Sequence, residues 1–169
     1  MTVDPETIAL GLGSNIGDRK AALRAAVEGL APYMKVSAVS PIYETAAFYV
    51  TDQPAFLNAA VVGTTTLSPL VLLRAVKNLE VEVGRQPSFR YGPRLLDIDI
   101  LFYGRQSFIS PELTVPHPRL AEREFVLRPL ADIAPNWKHP ASGLTIADML
   151  ASVPPSGAKC LGPLMSDAA

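Results

Sequence analysis

Asp97 and Asp99 are the residues most able to do chemistry, because they are two carboxylates set two positions apart in an otherwise apolar run, Leu96 to Phe102. Gly92-Pro93 precedes the run and Gly104 follows it. Leu96, Ile98, Ile100 and Phe102 are apolar at every second position, which predicts a half-buried β-strand. Side chains two apart on a strand share a face, with backbone positions about 7 Å apart, so both carboxylates can converge on one or two hard cations. Acids beside a core are costly unless paired or metal-bound, and Asp is a poor strand former. On the strand alone two explanations stay open: a metal site, or a solvated pair offset by Arg90 or Arg94.

Other residues are suited to anions and flat rings. Seven of the ten arginines (Arg85, Arg90, Arg94, Arg105, Arg119, Arg123, Arg128) fall between residues 85 and 128, a segment without lysine. The planar guanidinium fork matches phosphate or carboxylate with two parallel bonds. His117 stands between Pro116 and Pro118, close to Arg119 and Arg123, which are four apart and expected on one helix face. A lone histidine is more often incidental, yet this neighbourhood makes it a candidate anion ligand. Phe56 and Asn58 share a strand face and can stack on a heterocycle and bond its edge; a core Phe beside an edge Asn is the plainer reading. Glu80 lies near a helix C-terminus, where a carboxylate opposes the dipole and a solvated position is the plain expectation. The turn Gly11 to Asp18 lacks the Lys-Ser/Thr ending of a phosphate loop and the dinucleotide glycine spacing, so it reads as a tight strand-to-helix turn.

The elements that must position these residues follow from periodicity and punctuation. A strand over 7–12 leads through the glycine turn to a helix capped by Asp18, with Ala22, Leu23, Ala26, Val27 and Leu30 on one face, ending before Pro32. A second strand spans 36–45, interrupted at Pro41, and a third spans 56–66, with a loop over 46–54 between them. Ser68-Pro69 starts a helix that buries Leu72, Val76, Leu79 and Val83 and stops at Gly84. Residues 85–91 form a polar connection, either a lid or a plain linker. After the two-Asp strand come a short strand over 106–109, a proline-framed loop entering a short helix over 113–127, a loop with Trp137, and a helix from Thr145. Strand, helix, strand, strand, helix, strand is the split βαβ order of an α+β, ferredoxin-like antiparallel sheet, with helices mainly on one face and extra C-terminal helices. One domain is expected over 1–152, with a loosely ordered tail over 153–169.

With 169 residues, 49% of them hydrophobic and 18% charged, the chain suits one core. A net charge of −1 disfavours broad binding to nucleic acid or membrane surfaces. The single cysteine, Cys160, excludes an internal disulfide and fits a reducing cytoplasm. The sequence shows no 18-residue apolar run and no basic-then-apolar leader, which predicts a soluble, untargeted protein.

Arg90-Tyr91-Gly92-Pro93-Arg94-Leu95-Leu96-Asp97-Ile98-Asp99-Ile100-Leu101 resembles the signature of the 6-hydroxymethyl-7,8-dihydropterin pyrophosphokinase family. Gly13-Ser14-Asn15, the run Asp52 to Asn58, and Val115-Pro116-His117 followed by Arg123 and Phe125 extend the resemblance, in order, from about Ile8 to Trp137. It implies ATP-dependent transfer of pyrophosphate to a pterin alcohol in folate synthesis, by a cytoplasmic enzyme expected to act as a monomer. Asp97 and Asp99 are implied as ligands of two Mg²⁺ ions. Phe56 and Phe125 are implied to sandwich the pterin, with Asn15, Thr45, Ala46, Phe48 and Asn58 around it, which overturns the plainer reading of Phe56 and Asn58. Lys77, Glu80, Arg94, Ile98, Thr114, His117, Arg119 and Arg123 are implied at ATP, and Arg85 and Arg94 in catalysis. Pro87, Tyr91, Lys77 and Pro118 depart from residues common in the family and bear on loop closure and nucleotide affinity. Two competing readings are a non-catalytic ATP- and pterin-binding module of the same fold, and a nucleotidyltransferase that would release pyrophosphate instead of AMP.

Overall fold

The first strand explains the sheet. Along β1 (Glu6–Ser14), Ile8, Leu10 and Leu12 alternate with Ala9, Gly11 and Gly13, so one face is bulky and the other nearly flat. The computed structural model describes residues 4–46, 54–84, 95–155 and 157–165. In it β1 is flanked by two antiparallel partners, β4 (Phe56–Thr65) and β5 (Asp97–Tyr103). β2 (Lys35–Val39) and β3 (Pro41–Thr45) both pair with β4, and β8 (Lys159–Pro163) pairs with β3. The order β5-β1-β4-β3-β8 contains the ferredoxin-like arrangement, with β8 added at one edge and β5 forming the other. The separation of β2 from β3 at Ser40 bears out the predicted interruption at Pro41; Ser40 Oγ accepts from Ala60 N at 2.7 Å.

The bulky face packs on α1 (Arg19–Gly29) and α2 (Pro69–Val83), and its core includes Ile8, Leu10, Leu23, Leu30, Leu72, Val76, Ile98 and Ile100. Asp18 caps α1 by accepting from Ala21 N at 3.0 Å, as its position predicted. The flat face carries α3 (Glu124–Ile133) and α4 (Ile146–Ser152), whose Leu127 and Met149 share a core with Ala9, Ala60, Leu101 and Phe102 of the sheet. A helix over small residues lies close to the sheet, which is why Ala9 and Ala60 suit this face.

Phe102 lies on the side opposite to its expected one. Ala9 pairs with Phe102 and Leu10 with Ile100, so Leu101 is an extra residue in β5. Leu101 lies on the α3 side by ordinary alternation, and the bulge brings Phe102 to that side as well and turns Tyr103 to the α1–α2 side. The helix predicted to hold Arg119 and Arg123 is also different. A 3₁₀ turn covers Leu120–Glu122, Arg123 is extended (φ −115°, ψ 93°), and α3 starts at Glu124, so the two arginines are not on one helix. Residues 159–163, within the stretch expected to be a loose tail, form β8, anchored by fully buried Leu164 and by Arg24 Nε donating to the Leu164 carbonyl at 3.0 Å. β6 (Phe108–Ile109) and β7 (Thr114–Val115) form a small hairpin beside β5. No described helix is long and apolar enough to cross a membrane.

Candidate active site

Cross-strand register lays out the site. Asp97 pairs with Gly13, Gly13 with Asn58, and Asn58 with Tyr43, so one row crosses β5, β1, β4 and β3. Directly opposed residues project to the same face. Gly13 therefore forms bare floor between the carboxylate and the amide, which lie two strand spacings apart, roughly 10 Å. A side chain at Gly13 would intrude: its Cβ would stand 3.1 Å from Asn58 Oδ1 and 3.7 Å from Phe56 Cδ1. Asp99 pairs with Gly11 in the next row.

The carboxylates are half-buried and charged against one another. Burial, and then the charge of Asp97, push the Asp99 pKa up to about 7, although Lys77 and Arg123 pull it down. That negative potential is what a divalent cation would relieve. Among the described residues no group of three or more His, Cys, Asp or Glu is arranged to hold a metal. Two oxygen donors without a protein cage fit Mg²⁺, which keeps waters and is commonly shared with substrate phosphates.

Glu80 holds the edge strand rather than facing solvent. It is 1% exposed, and its Oε2 accepts from Ile98 N at 2.7 Å and from Lys77 Nζ at 3.0 Å. Lys77 Nζ also donates to the Ile98 carbonyl at 3.3 Å. The two helix side chains thus occupy the outward backbone groups of the residue between the aspartates, which fixes where both carboxylates stand. A solvated Glu80 was the expectation because helix position alone carries no sign of a strand edge alongside.

His117 is half-buried and neutral at pH 7. Burial, and then Arg123, lower its pKa to about 4, with Arg119 adding to this and Asp97 opposing it. Its Nδ1 accepts from Arg119 N at 3.2 Å, which places the ring proton on Nε2 as a neutral donor. Its own N–H bonds the carbonyl of bulged Leu101 at 3.0 Å, so β5 positions the loop as well as the carboxylates. Arg119 pairs with Glu122 at 3.5 Å, and the Arg123 guanidinium lies 5.6 Å from the Phe125 ring centroid. Arg119 thus meets His117 through its backbone N–H, and Arg123 meets Phe125 through its guanidinium, without the two sharing a helix.

On the other side of the floor, Asn58 Nδ2 donates to Thr45 Oγ1 at 3.3 Å, and Thr45 pairs with Phe56. Phe56 and Phe125 are half-buried, and α3, which carries Phe125 in its first turn, packs on β4 and β3. Asn15 is fully buried and donates to the Pro54 carbonyl at 3.2 Å, which makes it a tether beneath this region. Ala46 is exposed at the end of β3, and Thr114 lies in the hairpin beside β5. Arg85, Arg94 and Phe48, with Pro87, Arg90 and Tyr91, lie outside the described residues. One contact had no sequence signal: Tyr43 Oη donates to Asp132 Oδ2 at 2.5 Å, tying β3 to α3 across 89 residues. A separate groove of about 1000 Å³ at the far end of β5, with Glu6, Arg105, Gln106, Trp137, Lys138 and His139 in its lining, holds none of the predicted site residues.

The model of the 7,8-dihydro-6-hydroxymethylpterin-pyrophosphokinase family matches residues 9–135. The Arabidopsis thaliana "Folate synthesis bifunctional protein" is 48% identical over 130 residues, which are 76% of this chain and 27% of that protein. The chain thus spans about a quarter of the first curated relatives it matches. Two shorter relatives are each named 2-amino-4-hydroxy-6-hydroxymethyldihydropteridine pyrophosphokinase. That of Methylorubrum extorquens is 46% identical, covering 88% of this chain and 94% of its own. That of Aquifex aeolicus is 42% identical, covering 79% and 84%. Wild-type Plasmodium falciparum HPPK-DHPS shares the fold, with a TM-score of 0.72 at 16% identity over 88% of this chain and 45% of that one.

Proposed function

Because the chain belongs to the 7,8-dihydro-6-hydroxymethylpterin-pyrophosphokinase family, we propose that it transfers pyrophosphate from ATP to the hydroxymethyl group of 6-hydroxymethyl-7,8-dihydropterin, releasing AMP, within folate synthesis. The observation that carries this reading is the placing of Asp97 and Asp99, in successive rows, on the same face as the Asn58 amide, with Gly13 as bare floor between Asp97 and Asn58.

Asp97 and Asp99 would hold two Mg²⁺ ions, which supply neutralisation of the phosphate oxygens during in-line displacement. The pterin hydroxymethyl oxygen attacks the β-phosphorus, and AMP leaves. His117 offers Nε2–H to a phosphate oxygen without adding charge, while Arg119 and Arg123 supply cations, joined by Arg85 and Arg94. Lys77, Glu80, Ile98 and Thr114 border the nucleotide. Phe56 and Phe125 enclose the pterin ring, and Asn58, Thr45, Ala46 and Phe48 surround it, with Asn15 supporting their stem. Positioning and charge neutralisation carry most of a phosphoryl transfer, so the assignment needs no dedicated general base. The enzyme acts as a monomer in a reducing cytoplasm, which the exposed thiol of Cys160 suits.

The test is incubation with ATP, Mg²⁺ and 6-hydroxymethyl-7,8-dihydropterin, followed by chromatography. AMP and a diphosphorylated pterin should appear only when the pterin is present, and Asp97→Ala should abolish both while leaving the circular dichroism spectrum unchanged. Release of pyrophosphate in place of AMP, or near-native turnover by the variant, overturns the reading.

A further inference from the structure

We propose that Arg19 is a positioning residue for the pterin pocket, its guanidinium tying together the two stems of chain that carry Thr45 and Phe56. The inference rests on the pterin reading above. Arg19 opens α1, and its Nη1 donates both to Glu44 Oε2 and to the Ala55 carbonyl, each at 2.9 Å. Glu44 immediately precedes Thr45 on β3, and Ala55 immediately precedes Phe56 on β4. Thr45 and Phe56 are the last opposed pair of that ladder, so beyond them the ladder no longer sets the stem spacing. Arg19 spans this end of the ladder, from Glu44 just inside it to Ala55 just outside it.

Asn15 adds a second tie one residue earlier, to the Pro54 carbonyl. Both ties come from the β1–α1 junction, Asn15 from the turn and Arg19 from the first residue of the helix. That glycine-rich turn carries no phosphate-loop signature, and its use on this reading is to deliver Asn15 and Arg19 to the stems of the pterin pocket. Asp18 keeps the first turn of α1 in place, so the guanidinium is offered from a fixed base.

The Arg19 and Glu44 side chains are 30% and 34% exposed, and exposed ion pairs contribute little to global stability. A charged donor on a backbone carbonyl still fixes where that peptide stands. Loss of Arg19 is therefore expected to show in the placement of Phe56 and Thr45 more than in folding, and in pterin binding more than in chemistry.

The experiment compares wild type, Arg19→Ala and Glu44→Gln. Arg19→Ala should raise the pterin KM about tenfold, the size of one lost charge-assisted hydrogen bond, with kcat and the ATP KM changed less than about twofold. Glu44→Gln keeps an acceptor and the Ala55 contact, so its pterin KM should rise no more than about twofold. In parallel, amide hydrogen exchange of Arg19→Ala should quicken over residues 44–46 and 55–58 and stay unchanged in β1 and β5. An unchanged pterin KM, an equal rise in the ATP KM, or uniformly faster exchange overturns the proposal. Should wild type make no pterin-dependent AMP, the pterin reading fails and the exchange pattern alone decides whether Arg19 clamps the stems.

Discussion

Replacing Asp99 by Asn should stabilise the metal-free protein at pH 8 while destroying its activity, because the site holds its carboxylate at a cost to the fold. The pKa of Asp99 rises from 3.8 to about 7. At about 1.36 kcal/mol per pKa unit, this sets a ceiling of about 4 kcal/mol on the penalty for the charged form. Water reaches the half-buried group and screens it, so we expect about 1–2 kcal/mol. The sign follows from which form the fold prefers. A carboxyl with a raised pKa contributes stability while protonated, fully below pH 3.8, and loses it as pH climbs through about 7. The advantage of Asp99→Asn over wild type should therefore grow between those values and level off above. His117 works the other way, losing stability as pH falls from 6.5 toward about 4, but both proteins share it and the difference removes it. Urea unfolding in EDTA at pH 4 and pH 8 measures the effect, and at pH 8 the melting temperature should rise by about 2–8 °C. Saturating Mg²⁺ and ATP should reverse the order, since wild type gains about 2.7 kcal/mol at a hundredfold excess over Kd and the variant gains less. Equal differences at both pH values would refute the reasoning, because uncharged packing changes do not titrate.

Two other substitutions separate site from scaffold. Glu80→Ala removes the shared acceptor of Ile98 N and Lys77 Nζ, so unfolding stability should fall by about 2–3 kcal/mol and the ATP KM should rise; an unchanged melting curve would show that the edge strand is held by other means. Gly63→Ala places a methyl on the Lys35 carbonyl and within 2.7 Å of Met34 Cε, at the end of β4 far from Asn58. It should cost about 1–3 kcal/mol in urea unfolding and leave both KM values as they are.

The strands and helices were legible from their apolar content, β1 as a short apolar run because it is buried on both faces and α2 through its four-residue rhythm because one face is buried. The strand-helix order pointed to the ferredoxin-like sheet for the same reason. The Leu101 bulge left no trace, because an inserted apolar residue inside an apolar run does not disturb the pattern that reports burial. β8 depends on pairing with β3, a partner more than a hundred residues earlier, and its own composition, Lys-Cys-Leu-Gly-Pro, is weak for a strand. Glu80 was misjudged because helix position says nothing about the strand edge it reaches. Asp97, Asp99 and Asn58 stood out because they are polar residues in apolar strands, whereas Phe56 fits a core pattern and only the family resemblance singled it out.

The Leu101 bulge also explains how one strand serves two purposes. Before it, β5 sends Ile98 and Ile100 into the α1–α2 core and leaves Asp97 and Asp99 on the flat face. After it, Leu101 and Phe102 occupy that flat face themselves, where α3 and α4 cover them. Were the same residues laid in a regular ladder without the bulge, Phe102 would point toward α1 and α2, and the flat face would lose an anchor beneath the loop that carries His117. The Leu101 carbonyl, where the strand changes faces, accepts from His117 N. A single inserted residue thus separates the carboxylates from the second core and fixes the histidine beside them, so the length of β5 before the bulge sets the distance between charge and cover.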